Sequence, residues 1–207
     1  MSDNRKAHWD RIYTTKASDA VSWFQPEPAA SLLLLDAAGM TATSRIIDIG
    51  GGDSRLVNRL VERGVKCVFV LDVSGAALER AKARLGQRQE QVVWIEADVT
   101  GEWEVPIVDI WHDRAVFHFL TDASDRHRYV EHMRRAVTPG GAVVMATFAP
   151  DGPEKCSGLP VVRYSPETLS AELGSEFRVV ESLLEQHQTP FGTVQSFCYT
   201  RFRRLSA

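Results

Sequence analysis

The chain has 207 residues, of which 44% are hydrophobic, and a formal net charge of −3 at pH 7. This length is enough to bury a full core, so we expect a single domain over residues 1–207. The near-balanced charge gives no indication of nucleic acid as a partner, and the lack of a long apolar segment argues against a membrane protein.

Residues 1–6 lack the apolar core of a signal peptide. The cysteines Cys67, Cys156 and Cys198 are odd in number and do not have the spacing of metal ligands. We therefore expect free thiols in a reducing cytoplasm, and no metal site.

The N-terminal part of the chain is rich in aromatic side chains. Trp9 and Tyr13 fall at near-helical spacing, and Trp23 lies in an extended stretch before a proline. A second helix is predicted from Pro28 to Gly39. The aromatic residues either pack an N-terminal helix onto the core or form a lid over a ligand site.

Residues 45–54 predict a strand, a glycine turn and the start of a helix. The apolar run contains Asp48 and is followed by Gly50, Gly51 and Gly52. Because glycine has no Cβ, such a turn can be tight and a ligand can lie against its backbone. This arrangement is typical of the entry to a nucleotide-binding α/β fold.

The glycine turn does not match a dinucleotide site. The G-x-G-x-x-G pattern requires a third glycine where this chain has Arg55. Asp53 at the mouth of the helix would repel a pyrophosphate, whereas Asp53 and Asp48 suit a ligand that carries positive charge or needs hydrogen-bond acceptors. These acidic flanks disfavour NAD as the ligand.

The next predicted strand, 67–71, ends in Asp72, which Val73 follows. A carboxylate at the tip of the second strand accepts both ribose hydroxyls in many α/β nucleotide sites. The alternative is a cap for the following helix, although Ser74 can serve as that cap itself.

The third predicted strand, 91–95, leads to Asp98 and Val99. At this strand end Asp98 would accept the amino group of an adenine, and Val99 would pack on the adenine ring. A capping role for Asp98 is the alternative.

The fourth predicted strand, 107–111, runs into His112, a candidate for ligand contact, although an isolated histidine is often structural. His118 lies between two phenylalanines, which favours core packing. After a helix over 126–137 and a Pro-Gly-Gly turn, the fifth strand is predicted over 142–148.

The longest irregular stretch, 149–160, contains Cys156 and follows the fifth strand at its carboxyl end, where open α/β sheets bind ligands. The chain closes with two predicted strands, 177–183 and 194–202, without a helix between them. They must pair as an antiparallel hairpin at one edge of the sheet, which is not the dehydrogenase pattern.

Five features stand in order along the chain: Asp48-x-Gly50-x-Gly52, Asp72, Asp98, Pro139-Gly140-Gly141 before the fifth strand, and the terminal hairpin. Together they resemble class I S-adenosylmethionine-dependent methyltransferases of the small-molecule type. The resemblance implies an α/β fold, a Rossmann-like three-layer sandwich with a seven-stranded, mostly parallel sheet whose last strand is antiparallel. Residues 41–207 would form this core, and residues 1–40 a helical segment that covers the cofactor.

The cofactor implied by the resemblance is S-adenosyl-L-methionine. The residues that would bind it are Trp9, Tyr13, Trp23, Asp48, Gly50, Gly51, Gly52, Asp72, Val73, Asp98, Val99 and His112. By the resemblance, the glycines hold the methionine part and Asp48 meets its ammonium group. Asp72 would hold the ribose, and Asp98 with Val99 the adenine. His112 would lie beside the sulfonium and the acceptor.

The methyl acceptor is not specified by the resemblance. The Asn-Pro-Pro-Tyr type of signature for adenine-N6 or glutamine methylation is absent after the fourth strand, where this chain has His112-Asp113-Arg114-Ala115. A small-molecule acceptor is the favoured interpretation. The alternatives are a protein-lysine methyltransferase and a non-catalytic S-adenosylmethionine-binding module, and the oligomeric state is left open.

The candidate catalytic residues are His112, Cys156 and Arg163. Cys156 either contacts a soft acceptor or a thiol, or it is an ordinary loop cysteine. Arg163 either binds a carboxylate of the acceptor or pairs with Glu154 or Glu167.

Overall fold

The computed structural model describes residues 2–206. Within this range the α-helices are α1 (Ser2–Thr15), α2 (Ala29–Ala37), α3 (Leu56–Glu62), α4 (Gly75–Leu85), α5 (Ala123–Ala136) and α6 (Pro166–Leu173). The strands are β1 (Arg45–Ile49), β2 (Cys67–Asp72), β3 (Val92–Glu96), β4 (Val108–Arg114), β5 (Val137–Phe148), β6 (Lys155–Cys156), β7 (Leu159–Pro160), β8 (Phe177–Gln188) and β9 (Val194–Arg204). Between residues 2 and 206, no helix combines the length and the apolarity needed to cross a lipid bilayer.

Seven strands of the described chain form the main sheet, in the order β3-β2-β1-β4-β5-β9-β8. The neighbours from β3 to β5 all pair in parallel. Strand β9 is antiparallel to both β5 and β8, so six strands run one way and the reversed strand lies between β5 and β8. The predicted Rossmann-like sheet with a terminal antiparallel hairpin is therefore confirmed.

Two details of the C-terminal half differ from the sequence-based prediction. Strand β5 begins at Val137 rather than at residue 142, because Val137 pairs with Val108 before the register shifts at Ile110. The stretch 149–160 is not wholly irregular, since β6 and β7 form a small hairpin. Its two turn residues, Ser157 and Gly158, have φ of 51° and 79°, the positive values that a two-residue hairpin turn requires.

The central strands β1, β4 and β5 are mostly buried on both faces, as expected when helices cover the two sides of a sheet, whereas the edge strand β3 is partly exposed. In β1, Ile46 belongs to the core on one face and Ile47 to the core on the other, and both are fully buried. The helices α2, α3 and α4 contribute to the first of these layers, and α5 and α6 to the second. This packing fixes the strands and leaves their carboxyl ends for a site.

The turn after β4 is held by a buried carboxylate. Asp113 has no solvent exposure and accepts hydrogen bonds from the backbone N–H groups of Val116 and Phe117, at 2.9 and 3.1 Å. The hydroxyl of Tyr129 donates a third, at 2.5 Å. Burial raises the pKa of Asp113 to about 6, against the opposing effect of the Tyr129 hydrogen bond. These contacts fix the backbone of the turn that follows Arg114, the last residue of β4.

We expect Tyr129→Phe to lower the free energy of unfolding by about 1–3 kcal/mol, because it removes one of the hydrogen bonds to the buried Asp113 and leaves the buried indole N–H of Trp111 without a partner. Urea denaturation measures this. Tyr164→Phe is the matched control, since the buried Tyr164 hydroxyl has no hydrogen-bond partner within residues 2–206. Its loss should change stability by less than about 0.5 kcal/mol. Equal costs for the two variants would contradict the importance of the Asp113 network.

Candidate active site

Two adjoining cavities lie at the carboxyl ends of the central parallel strands. The first cavity is lined by Arg5, Trp9, Tyr13, Trp23, Gly50, Leu71, Asp72, Val73, Ala97, Asp98, Val99, Arg114, Ala115, Val116, Phe119, Leu120 and Cys156. The second is lined by Tyr13, Ser18, Val21, Trp23, Phe24, Gln25, Pro28, Ser31, Asp48, Ile49, Gly50, Gly51, Asp53, Ser54, Arg55, Leu56, His112 and Arg114. The two share four wall residues, Tyr13, Trp23, Gly50 and Arg114, so they adjoin beside the glycine turn, and together they are called the cleft.

The glycine turn lies directly against two carboxylates. Gly50 has a φ of 64°, a left-handed conformation that glycine adopts without strain. A Cβ on Gly51 would stand 2.5 Å from Oδ2 of Asp48, and a Cβ on Gly52 would overlap Oδ2 of Asp72. The missing side chains therefore make room for the acids and leave the backbone open to a ligand.

Asp48 and His112 face each other across the parallel pair β1 and β4. Nδ1 of His112 lies 2.7 Å from Oδ1 of Asp48, and Nε2 lies 2.9 Å from the hydroxyl oxygen of Ser31. His112 is 2% exposed, so both ring nitrogens are used inside the protein. Oδ2 of Asp48 is buried and has no hydrogen-bond partner within residues 2–206.

This geometry changes the interpretation of His112. It was predicted to lie beside the sulfonium and act in catalysis, but it lines the second cavity and has no ring nitrogen free for a reacting group. The histidine instead fixes Asp48 so that one carboxylate oxygen remains available to a donor. An ammonium group is the kind of donor that this oxygen suits.

Asp53 is not the free acid that its position suggested. Arg80 and Arg84 of α4 both form ion pairs with its carboxylate, and the hydroxyl of Ser18 donates to Oδ2 at 2.5 Å. Its side chain is only 5% exposed. The charge of Asp53 is thus neutralised within the fold, and the acidic character of the cleft comes from Asp48 and Asp72.

Asp72 is buried at the end of β2, where its Oδ1 accepts the backbone N–H of Ser74 at 2.8 Å. The capping role that was its alternative belongs to Ser74, whose hydroxyl accepts the N–H of Ala77 at the start of α4. Burial raises the pKa of Asp72 to about 7, opposed by the Ser74 N–H and reinforced by the carboxylates of Asp48 and Asp10. A hydroxyl donor that enters the first cavity would therefore stabilise the ionised form of Asp72.

Asp98 and Val99 lie in the wall of the first cavity, as predicted. Oδ1 of Asp98 accepts the backbone N–H and the hydroxyl of Thr100, at 2.9 and 2.8 Å. Oδ2 lies 3.3 Å from Nη1 of Arg5, which also pairs with Asp125. The carboxylate thus shapes its own loop and holds α1 at this end of the cleft.

The predicted aromatic residues meet in one cluster over the first cavity. The ring of Trp9 lies edge-on to those of Trp23 and Phe119, with centroid distances of 5.6 and 5.2 Å. Tyr13 packs beside Trp23 at 6.3 Å. Burial raises the pKa of Tyr13 well above its usual value, so its hydroxyl stays protonated. These side chains thus pack together and also line the first cavity.

The other two candidate catalytic residues have different locations. Cys156 is 5% exposed and lines the first cavity, where burial raises the pKa of its thiol to about 12. It is a thiol, not a thiolate, at neutral pH. Arg163 lies outside the residues that line either cavity, and its Nη2 pairs with Glu154 at 3.3 Å. The structure thus brings Cys156, but not Arg163, to the cleft.

Arg5 and Arg114 of the cleft were not predicted as site residues, and neither was Arg55, which lines the second cavity. Arg114 lines both cavities, and Arg5 lines the first. Arg114 stands two residues after His112, so the alternation of a strand puts both on one face. Arg5 stands four residues before Trp9, which puts both on one face of a helix. Applied to the residues already chosen, these two periods would have found Arg114 and Arg5.

The comparisons with known proteins agree with the fold. A family model described as a methyltransferase domain matches residues 47–143. An uncharacterised methyltransferase of Mycobacterium tuberculosis strain H37Rv is 30% identical over 116 residues, which are 56% of this chain and 56% of the relative. The chain spans little more than half the length of this curated relative.

Two solved structures share the fold along almost the whole chain. The N-methyltransferase NodS of Bradyrhizobium japonicum WM9, in complex with S-adenosyl-L-homocysteine, has a TM-score of 0.74 at 19% identity over 99% of this chain and 100% of its own. The 1,6-didemethyltoxoflavin-N1-methyltransferase of Burkholderia thailandensis has a TM-score of 0.70 at 18% identity over 99% and 87%. The chain is therefore similar to known methyltransferases over the matched domain, and it shares the fold of these two methyltransferase structures along almost its whole length.

Proposed function

We propose that the chain catalyses methyl transfer from S-adenosylmethionine to a small-molecule acceptor. The observation that carries this proposal is the pair of buried carboxylates, Asp48 and Asp72, on either side of the glycine turn. One offers an unpartnered oxygen and the other a carboxylate that gains from hydroxyl donors. When bound, S-adenosylmethionine supplies an electrophilic methyl group on its sulfonium, with an ammonium at one end and ribose hydroxyls at the other.

The residues of the cleft fit this cofactor in order. Oδ2 of Asp48 would accept the ammonium, and the backbone of Gly50 and Gly51 would hold the methionine part, whereas Gly52 lines neither cavity. Asp72, with Val73 beside it, would hold the ribose. Asp98 would meet the adenine amino group in competition with Arg5, and Val99 would pack on the ring. This order is supported by the cavity linings, since Asp48 lines the second cavity, Asp72 and Asp98 line the first, and Gly50 lines both.

The N-terminal segment, residues 1–40, would cover the bound cofactor. Its side chains Trp9, Tyr13 and Trp23 line the first cavity, and Arg5 and Lys6 pair with acids of the strand ends. A covered cleft favours an acceptor that fits inside it over a protein that lies across an open groove. This supports a small-molecule acceptor rather than a protein lysine.

Catalysis would rest on positioning more than on proton transfer. Among the described wall residues, Tyr13 and Cys156 hold their protons and His112 has both nitrogens engaged. Methyl transfer is an in-line displacement that gains most from alignment of the acceptor with the sulfonium. The cleft therefore suits an acceptor whose nucleophilic atom needs no base from the protein.

Calorimetric titration with S-adenosylhomocysteine, in parallel with NADH, tests the cofactor. Binding of S-adenosylhomocysteine alone is the expected result, and binding of NADH alone would overturn it. Transfer of labelled methyl from S-adenosylmethionine to a metabolite extract, and not to macromolecules, would then exclude the protein-lysine alternative. Cofactor binding without turnover of any acceptor would indicate the non-catalytic module.

The free thiols Cys67, Cys156 and Cys198 fit the expected cytoplasmic location.

We expect Asp72→Asn to weaken S-adenosylhomocysteine binding by about 1.5–3 kcal/mol, roughly 10- to 100-fold in Kd, because two hydroxyls lose a charged acceptor. Calorimetry measures the change. Asp109→Asn is the matched control, since Asp109 pairs with Arg45 at the amino end of the sheet. Its affinity should equal that of the wild type. An unchanged affinity in Asp72→Asn would remove the ribose role from Asp72.

The affinity for S-adenosylhomocysteine should also depend on pH. Hydroxyl donors favour ionised Asp72, so binding lowers its pKa from the value of about 7 in the free protein and releases a proton. Affinity should therefore rise as pH increases toward and through 7, and below that pH it should fall by up to about tenfold per unit. Titrations from pH 6 to 8 measure this slope. The idea fails if Asp72→Asn shows the same slope as the wild type.

A further inference from the structure

A buried arginine stands at the junction of the two cavities. Arg114 is the last residue of β4 and lines both cavities, and its side chain is only 11% exposed. Its guanidinium carbon lies 4.5 Å above the ring centroid of Phe197. A cation removed from water in this way needs compensation from hydrogen bonds and opposite charge.

The compensation of Arg114 is incomplete. Nε donates to the hydroxyl of Tyr199 at 2.8 Å, and Nη1 donates to the carbonyl oxygen of Trp23 at 3.1 Å. Nη2 is buried and makes no hydrogen bond within residues 2–206. Oε2 of Glu185 lies 3.9 Å from Nη2, beyond hydrogen-bonding distance. Both N–H groups of Nη2 are thus left without an acceptor.

Glu185 is committed to other partners. The side-chain amide of Gln25 donates to its two oxygens, at 2.9 and 3.1 Å, and the Tyr199 hydroxyl donates to Oε2 at 3.1 Å. Moving this carboxylate onto Nη2 of Arg114 would disturb these bonds. The bonds of Glu185 therefore hold its carboxylate away from Nη2 of Arg114.

Several aromatic side chains share the wall of the first cavity with Arg114. The first cavity has Trp9, Trp23 and Phe119 in its wall, together with the protonated thiol of Cys156. The second arginine of this cavity, Arg5, already pairs with Asp98 and Asp125. Of the two arginines that line the first cavity, Arg114 is thus the one with a donor left unpartnered within residues 2–206.

We propose that Nη2 of Arg114 binds an anionic group of the methyl acceptor, and that the acceptor is an apolar, ring-bearing organic anion. The carboxylate or similar group completes the hydrogen bonds of the guanidinium, and the rings pack among Trp9, Trp23 and Phe119. This inference rests on the proposed methyltransferase function, because it assigns the acceptor side of the same cleft. Arg114 takes the role of acceptor anchor that the sequence had given to Arg163.

The probes are 2-naphthoate and 2-naphthamide, which share a ring system and differ in the charge of the end group. Each is titrated into the full chain saturated with S-adenosylhomocysteine. We expect the carboxylate to bind at least tenfold more tightly than the amide. Arg114→Gln should remove this preference and retain S-adenosylhomocysteine binding. Arg134→Gln on α5, whose partners Glu131 and Glu176 lie outside the cleft, should behave as the wild type.

The loss of one buried charge could unfold the protein, so a second variant is included. Arg114→Gln combined with Glu185→Gln removes both charges of the pair and should give the same loss of the naphthoate preference. Equal affinity for the two probes, absence of naphthoate binding, or naphthoate binding that survives both variants would each overturn the proposal. A wild-type chain that fails to bind S-adenosylhomocysteine would instead reject the proposed function.

Discussion

Two carboxylates held out of water beside a turn of glycines are the constraint on which this site depends. Asp48 and Asp72 end or nearly end adjacent parallel strands, and Gly51 and Gly52 approach them so closely that no side chain would fit. Burial is the main cause of the raised pKa of Asp72, and the carboxylate of Asp48 adds to it, so the ionised pair is held at a cost in free energy. A ligand with hydrogen-bond donors at both ends would stabilise the two buried carboxylates. The free energy that their burial costs the unbound protein would then contribute to ligand affinity.

Two other acids, Asp98 and Asp10, attach the N-terminal segment to the strand ends. Asp98 holds Arg5, and Asp10 of α1 accepts the hydroxyl of Ser74, which in turn caps α4. The cover of the cleft is therefore attached through hydrogen bonds and ion pairs to the strand ends that would bind the cofactor. Helix α1 carries few buried apolar residues of its own, and such an attachment opens more readily than a packed core.

The parts of this structure that follow from local sequence could be predicted. The strand ends at Asp48, Asp72 and Asp98 depend on short apolar runs and their flanking residues, and the terminal hairpin follows from the missing helix. The sequence could not indicate which distant side chains would meet. The contacts of His112 with Ser31, and of Asp53 with two arginines of α4, join residues far apart in the chain. Only the tertiary fold specifies such pairs.

The small hairpin of β6 and β7 contributes to the wall of the first cavity. It places Cys156 in the cavity wall through a two-residue turn, Ser157-Gly158, and it pairs with no strand of the main sheet. Side chains of a strand alternate in direction, so a change of one residue in this turn would reverse which side chains face inward. Changes in this hairpin can therefore alter the wall of the first cavity while the strands of the main sheet stay as they are.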